Sequence, residues 1–294
     1  MRIKITSVIY NKGEIDCNYQ HQIQAIIYRF LANSNPDFAA WLHEDGYIYR
    51  RDQRFKLFVF SGIIFHGPIK ITHSDGSDST NSSSVFLFHA SPTFPFTFSF
   101  QIASPVNKFL QHLIEGIFKE GQEISLSRQR VIVQQVESLP DPLGVPISAN
   151  RSGGVSGVLL KPLESPIFVK KPMPSGQRDQ YLFPGDEGYE EHLNQNLVHK
   201  FETLYGRPYD GDYLKFDFDR TEQWPHPHRL KRSQPKVMKT FRIFKDGKVA
   251  GEIKGTLLPF TITGPVELMR IGLDCGFGQN NSMGCGYVAP VHAS

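Results

Sequence analysis

The sequence predicts an α+β chain folded as two βαββαβ units in tandem. Three observations carry that expectation. The chain has 294 residues, roughly twice the length of a common domain. Short strand-like segments alternate with a few helical ones. A stretch rich in Pro, Gly and Ser, Leu139 to Gly157, divides two similar cycles of such segments. The units are expected at 1–138 and 158–294, with 139–157 as the linker.

In the first unit, Arg2 to Tyr10 alternates apolar and polar residues as a strand does. Ile23, Ile26, Ile27, Phe30 and Leu31 then recur at helical spacing and predict a helix from Gln20 to Leu31. Asn35-Pro36 supplies an N-cap and a first-turn proline for a short helix that turns Phe38, Ala39, Trp41 and Leu42 inward and closes at His43. Phe55 to Phe65, Ile69 to His73, Val85 to His89 and Thr93 to Ile102 read as strands. Between them Ser74 to Ser84 is a polar, low-complexity loop. A helix from Pro105 to Glu120, with Phe109, Leu113, Ile117 and Phe118 on its inner face, leads to one strand from Glu123 to Val136. The second unit repeats the cycle: a strand near Pro166 to Lys170, a helix from Tyr189 to Tyr205, and a strand from Asp212 to Asp219. A hairpin from Lys236 to Thr263 turns at Asp246-Gly247, and a helix from Pro265 to Leu273 precedes a last strand, Gly286 to Pro290. Two such units would be ferredoxin-like domains.

Composition narrows the function classes. Apolar residues make up 39% and charged residues 21%, the balance of a soluble globular protein. No run approaches the roughly 18 apolar residues of a membrane span, so no membrane partner is expected. The N-terminus lacks the apolar run of a signal peptide, which points to a cytoplasmic protein. Cys17, Cys275 and Cys285 have neither disulfide-framework nor zinc-ligand spacing. His226 and His228, beside Trp224, lie in a proline-broken loop with no carboxylate or cysteine at ligand distance, so no metal site and no cofactor are expected. These two histidines and the tryptophan fit base stacking or simple exposure instead.

Charge is unevenly spread. Arg229, Lys231, Arg232, Lys236, Lys239, Arg242, Lys245 and Lys248 face one acid, Asp246, so this segment carries +7 in a chain whose total is +3. The rest is net acidic, and the positive field is local, as a surface meeting a polyanion requires. A solvated charged hairpin is the competing reading.

Near the C-terminus, Gly276, Gly278, Gly284 and Gly286 punctuate GFGQNNSMGCGY, Gly276 to Tyr287. Such a loop can point amides at phosphate oxygens. It follows a helix and enters a strand, the reverse of a dinucleotide site, lacks the third glycine of that motif, and has no Lys-Ser or Lys-Thr pair for a P-loop. A tight helix-to-strand connection is the structural alternative.

The segment resembles G-F-G-x-x-N-S-x-G-[FM]-G, the signature of the repeat-processing CRISPR endoribonucleases, the sixth Cas family of the RAMP superfamily. Cys285 departs from it. Tyr19-Gln-His21-Gln22, Ile27-Tyr28, Asn33-Ser34-Asn35-Pro36, Leu42-His43-Glu44 and Phe55-Lys56-Leu57-Phe58 also follow that family's order, so the likeness runs nearly the length of the chain. The resemblance implies metal-independent cleavage of CRISPR precursor transcripts within their repeats, giving guide RNAs with 2′,3′-cyclic phosphate and 5′-hydroxyl ends. It implies a repeat RNA as partner, with other CRISPR effector subunits or a second copy as further candidates. A non-catalytic RAMP subunit that binds guide RNA is the alternative, and a general RNA-binding module a third.

Matched to the family motifs, Tyr28, His43 and Lys56 are the candidate catalytic residues. The reaction needs a group to take the 2′-hydroxyl proton, one to protonate the 5′-oxygen, and a cation for the phosphorane. His43 titrates nearest neutrality and sits at a helix C-terminus, which favours its charged form; a capping histidine is the alternative. Tyr28 shares a helix flank with His21 and Gln24 and suits orientation of the 2′-hydroxyl better than proton removal, since a free phenol titrates at about 10. Lys56 is the candidate cation, with Arg50, Arg51 or Arg54 able to serve equally. His21 reads as a structural helix-start residue. RNA contacts are expected from Arg54, Arg229, Lys231, Arg232, Lys236, Lys239 and Arg242, and from Gly276, Gly278, Asn281, Ser282, Gly284 and Gly286.

Overall fold

The computed structural model describes residues 1–50, 53–73, 84–119, 123–144, 157–172, 180–218, 238–245 and 248–291, without the side chains of 73 and 241–251. Expectations for Ser74 to Ser83, for the Asp246-Gly247 turn and for Trp224, His226 and His228 lie outside the described residues. The chain divides into two compact units. The first comprises Met1–Glu44, Gly62–Ile102 and Val106–Leu139, and the second Asp45–Ser61, Ala103–Pro105 and Pro140–Ser294.

In the first unit the main sheet runs in the order Glu123–Leu126, Gln129–Leu139, Arg2–Ile9, Phe96–Ala103, with Ile64–Phe65 beyond on the last strand. Apart from the edge strand Glu123–Leu126, this is the fourth-first-third-second order of a βαββαβ unit. Helices α1 (Gln20–Ser34) and α3 (Asn107–Lys119) pack together. On α1, Ile23, Ile26, Ile27, Phe30 and Leu31 are buried as their spacing predicts, each contributing about 1.5 to 3 kcal/mol. Helix α2 (Pro36–Glu44) begins where expected: the Asn35 Oδ1 accepts the Phe38 amide at 2.9 Å, closing the first turn.

Several expectations are corrected. Trp41 is 38% exposed and Phe118 55% exposed, because each lies at the margin of its helix's apolar stripe. Phe55 to Phe65 is not one strand. It is broken after Phe55, where Leu57 takes a left-handed conformation with φ of 51°. Glu123 to Val136 is a hairpin rather than one strand: Glu123–Leu126 pairs antiparallel with Gln129–Leu139. Its turn residues Ser127 and Arg128 have φ of 48° and 65°, the two positive values of a tight hairpin turn.

In the second unit a four-stranded sheet runs Lys215–Asp217, Phe260–Thr263, Val158–Pro162, Val288–Pro290, the same fourth-first-third-second order read from the other edge. Helices α4 (Tyr189–Tyr205) and α5 (Val266–Cys275) pack together. Leu193, Leu197 and Phe201 of α4 and Leu268, Met269 and Ile271 of α5 join Leu160, Phe260 and Ile262 of the sheet in one core. The strands Met238–Lys245 and Lys248–Thr256 pair antiparallel. Asp45–Ser61 also belongs to this unit. Its strand Tyr47–Tyr49 is tied to α4 by the Tyr49 hydroxyl, which donates to Glu202 at 2.8 Å, and by stacking of the Tyr49 ring on His199 at 4.3 Å. The molecule is thus α+β with tandem ferredoxin-like units. Among the described residues no helix is long and apolar enough to cross a membrane.

Candidate active site

Tyr28 lies in the third turn of α1 and His43 in the last turn of α2. The helical phase of α1, which buries Ile23, Ile27 and Leu31, leaves Tyr28 half-buried beside that stripe. The Asn35-Pro36 junction then reverses the chain, and α2 brings His43 to the Tyr28 ring edge-on. Their centroids are 5.0 Å apart and their planes 82° apart. His43 is exposed. Burial pushes the Tyr28 phenol well above its ordinary value, so it remains a neutral hydroxyl that donates or accepts a hydrogen bond. Within the first unit the structure therefore brings together two of the three catalytic candidates. His21, by contrast, holds the start of α1, its Nδ1 lying 2.7 Å from the Asn18 carbonyl.

Lys56 belongs to the second unit. It lies half-buried against Gly46, where an added Cβ would stand 2.9 Å from the lysine Cδ. Its ammonium is held below the usual lysine range, first by partial burial and then by the Arg54 guanidinium, with Asp45 acting in the opposite sense. Arg54 itself contacts Asp45 at 3.0 Å.

Inside this unit Gln53 to Phe58, Lys170, α4 and the glycine-rich loop enclose a concavity of about 450 Å³. Arg54, Lys56, Lys170 and Lys200 all line it, together with Asn196, Asn281 and Ser282, and among the described residues no acid does. Two of the expected loop contacts, Asn281 and Ser282, thus reach this surface.

The four expected glycine contacts are placed differently. Gly276, Gly278, Gly284 and Gly286 are buried, and the amides of Gly284 and Gly286 donate to the Asn281 and Pro166 carbonyls at 3.0 and 2.9 Å. A Cβ at Gly286 would run into the Phe277 carbonyl, and φ there is 81°, so only glycine fits. Asn281 clasps the loop from within, its Nδ2 donating to Cys285 O at 2.9 Å and Phe277 O at 3.3 Å. The glycines shape the loop, and Gln279 to Met283 are its partly exposed arc.

Of the expected basic contacts, Lys239 donates to the Glu164 carbonyl at 3.0 Å and lies 3.8 Å from its carboxylate. Arg242 pairs in register with Glu252, its side chain undescribed. Arg229, Lys231, Arg232 and Lys236 fall outside the described residues. Among those described, no group of three or more His, Cys, Asp or Glu is gathered as a metal site would need.

Sequence reading missed Lys200 and Asn196. Lys200 is 1% exposed, and its ammonium donates to the Gly276 and Gly278 carbonyls at 2.7 and 2.8 Å. Desolvation lowers it to about 7. The available signal was periodicity: Lys200 occupies a position that follows Leu193 and Leu197 at helical spacing, where an apolar residue is expected.

Residues 14–137 match the family model described as CRISPR-associated protein Cas6, N-terminal, and residues 155–290 the one described as CRISPR associated protein Cas6, C-terminal. The CRISPR-associated endoribonuclease Cas6 1 of Methanocaldococcus jannaschii is 25% identical over 293 residues, covering 99% of this chain and 93% of that protein. The CRISPR-associated endoribonuclease Cas6 of Pyrococcus furiosus is 22% identical over 275 residues, 94% of this chain and 83% of its own. A solved structure of a CRISPR associated protein Cas6 superposes with a TM-score of 0.66 at 23% identity and covers 99% of both chains, a likeness of fold. Both halves of the molecule thus match models of one family, and the chain belongs to the Cas6 family.

Proposed function

We propose that this protein is an endoribonuclease that cuts CRISPR precursor transcripts within their repeats and releases guide RNAs. The observation that carries the reading is the edge-on pair of Tyr28 and His43, 5.0 Å between centroids, in a chain of this family. Its relatives from Methanocaldococcus jannaschii and Pyrococcus furiosus are named as endoribonucleases.

The reaction is transesterification within the RNA. The 2′-oxygen attacks the adjacent phosphorus, the bond from phosphorus to the 5′-oxygen breaks, and the products are a 2′,3′-cyclic phosphate and a 5′-hydroxyl. A proton leaves the 2′-hydroxyl and one arrives on the 5′-oxygen. His43 is the proton-transfer group, since it is exposed and imidazole changes charge near neutral pH. The neutral Tyr28 hydroxyl orients the 2′-hydroxyl. Lys56 is assigned the charge of the pentacoordinate phosphate on its chemistry as a cation. No step calls for a metal ion.

Incubation of the full chain with its own repeat RNA in EDTA tests this. Cleavage with cyclic phosphate ends is expected, reduced about 10² to 10⁴-fold in His43→Ala with RNA binding retained. A requirement for Mg²⁺ overturns the mechanism. Binding without cleavage by the wild type marks instead a non-catalytic RNA-binding subunit.

A further inference from the structure

Helix α4 presents two polar side chains, one turn apart, to the concavity of the second unit. Lys200 has two carbonyls as partners and, among the described residues, no carboxylate. An ammonium carries three donors, and two are used. Asn196 is 7% exposed, and its Oδ1 is enclosed with no hydrogen-bond partner among the described residues. Rotation of the amide presents its NH₂ in the same place. A buried cation with no counter-ion is costly, and a buried amide oxygen without a partner costs about 1 to 3 kcal/mol. Both residues line the same space. Lys170, Lys56 and Arg54 stand on its other walls, and Ser282 on its rim offers a further hydroxyl.

We propose that this concavity is an anion site, floored by Lys200 and Asn196 and walled by Lys170, that takes one phosphate of the RNA strand. A phosphate oxygen accepts from the third N–H of Lys200 and from the Asn196 amide, and supplies the missing counter-charge. The glycine-rich loop is held by the same ammonium through Gly276 and Gly278, so its exposed arc, Gln279 to Met283, is set in place over the bound phosphate. The acids nearest this space are Asp45, which pairs with Arg54, and Asp274, next to Cys275; neither lines it. The Cys275 thiol beside Lys200 is pushed up to about 12 and stays neutral.

The ligand assignment rests on the proposed RNA substrate, whereas the anion site stands on the geometry alone. The probe that separates them is inorganic pyrophosphate, titrated calorimetrically into the full chain at constant ionic strength, with competition against repeat RNA. Saturable binding is expected, weakened at least tenfold in Lys170→Ala and in Asn196→Leu and lost in Lys200→Met, with pyrophosphate displacing RNA. Circular dichroism reports whether each variant folds; should Lys200→Met unfold, Asn196→Leu and Lys170→Ala decide. Binding unchanged in those two variants, or no binding to the wild type, overturns the site. Pyrophosphate that binds but does not displace RNA overturns its assignment to an RNA phosphate. A wild type that binds pyrophosphate at this site but neither binds nor cuts repeat RNA refutes the endoribonuclease reading and leaves the anion site standing.

Discussion

The environment of Tyr28 reinforces the division of labour proposed for Tyr28 and His43. Burial drives the Tyr28 phenol upward, so it is protonated at neutral pH and a proton acceptor at that position would have to be His43. The sign follows directly: a raised phenol does not lose its proton as pH climbs through 9, so tyrosinate contributes no alkaline limb. Single-turnover rates from pH 6 to 9 should have the same profile in wild type and Tyr28→Phe, with the variant slower by about tenfold, the worth of one hydrogen bond. A limb that vanishes with the hydroxyl would make Tyr28 the base. The two positions were legible in sequence because each motif is local. Their contact was not, since it depends on the angle at which α2 leaves Asn35-Pro36, and helical spacing says nothing of that angle.

At the scale of elements, the glycine-rich loop and α4 act as one piece. Positive φ alone is mild. Gly206, the C-cap of α4, has φ of 67° and nothing within 4 Å of an added Cβ, so Gly206→Ala should cost about 1 kcal/mol. Gly286 has both the positive φ and the Phe277 carbonyl in the way, and Gly286→Ala should cost more than twice as much in urea unfolding. Equal losses would mean that the loop gives way freely. Lys200 adds a pH signature. Its folded value is about 7, against an ordinary lysine value of about 10.4, so between those limits the unfolded chain binds the extra proton and stability rises with pH. Below about 7 both states hold it and the slope disappears. Relative to Lys200→Met, the wild type should gain stability from pH 7 to 9, by at most about 1.4 kcal/mol per pH unit; a flat difference refutes the assignment. Helix α4 was read from sequence at its observed bounds, yet its buried lysine was not read, because an apolar stripe is recognised by its majority. The hairpin at Ser127 and Arg128 was missed for a related reason: its turn uses neither Gly nor Asn.

For the whole molecule, both units share one strand order, and the alternation of strands and helices foretold it. The pairings themselves join segments more than a hundred residues apart, as in Arg2 opposite Leu139, and register at that range is set by tertiary partners rather than by local pattern. Net charge of only +3 means that RNA affinity must come from local clusters. If about four cations meet phosphates, affinity should fall roughly fiftyfold between 50 and 200 mM salt, with a log–log slope near −3. A slope near zero would remove the backbone from the account. The second unit also borrows Asp45–Ser61 from the first half of the chain, with Val59 facing Gly276 and Phe60 facing Gly284 beneath the glycine-rich loop. The unit is therefore discontinuous in sequence. A chain divided between 139 and 157 would keep the first unit whole but split the second, and the C-terminal fragment would lack the residues on which its own loop is seated. Any scheme that exchanges, splits or grafts this half of the protein has to carry Asp45–Ser61 along with it.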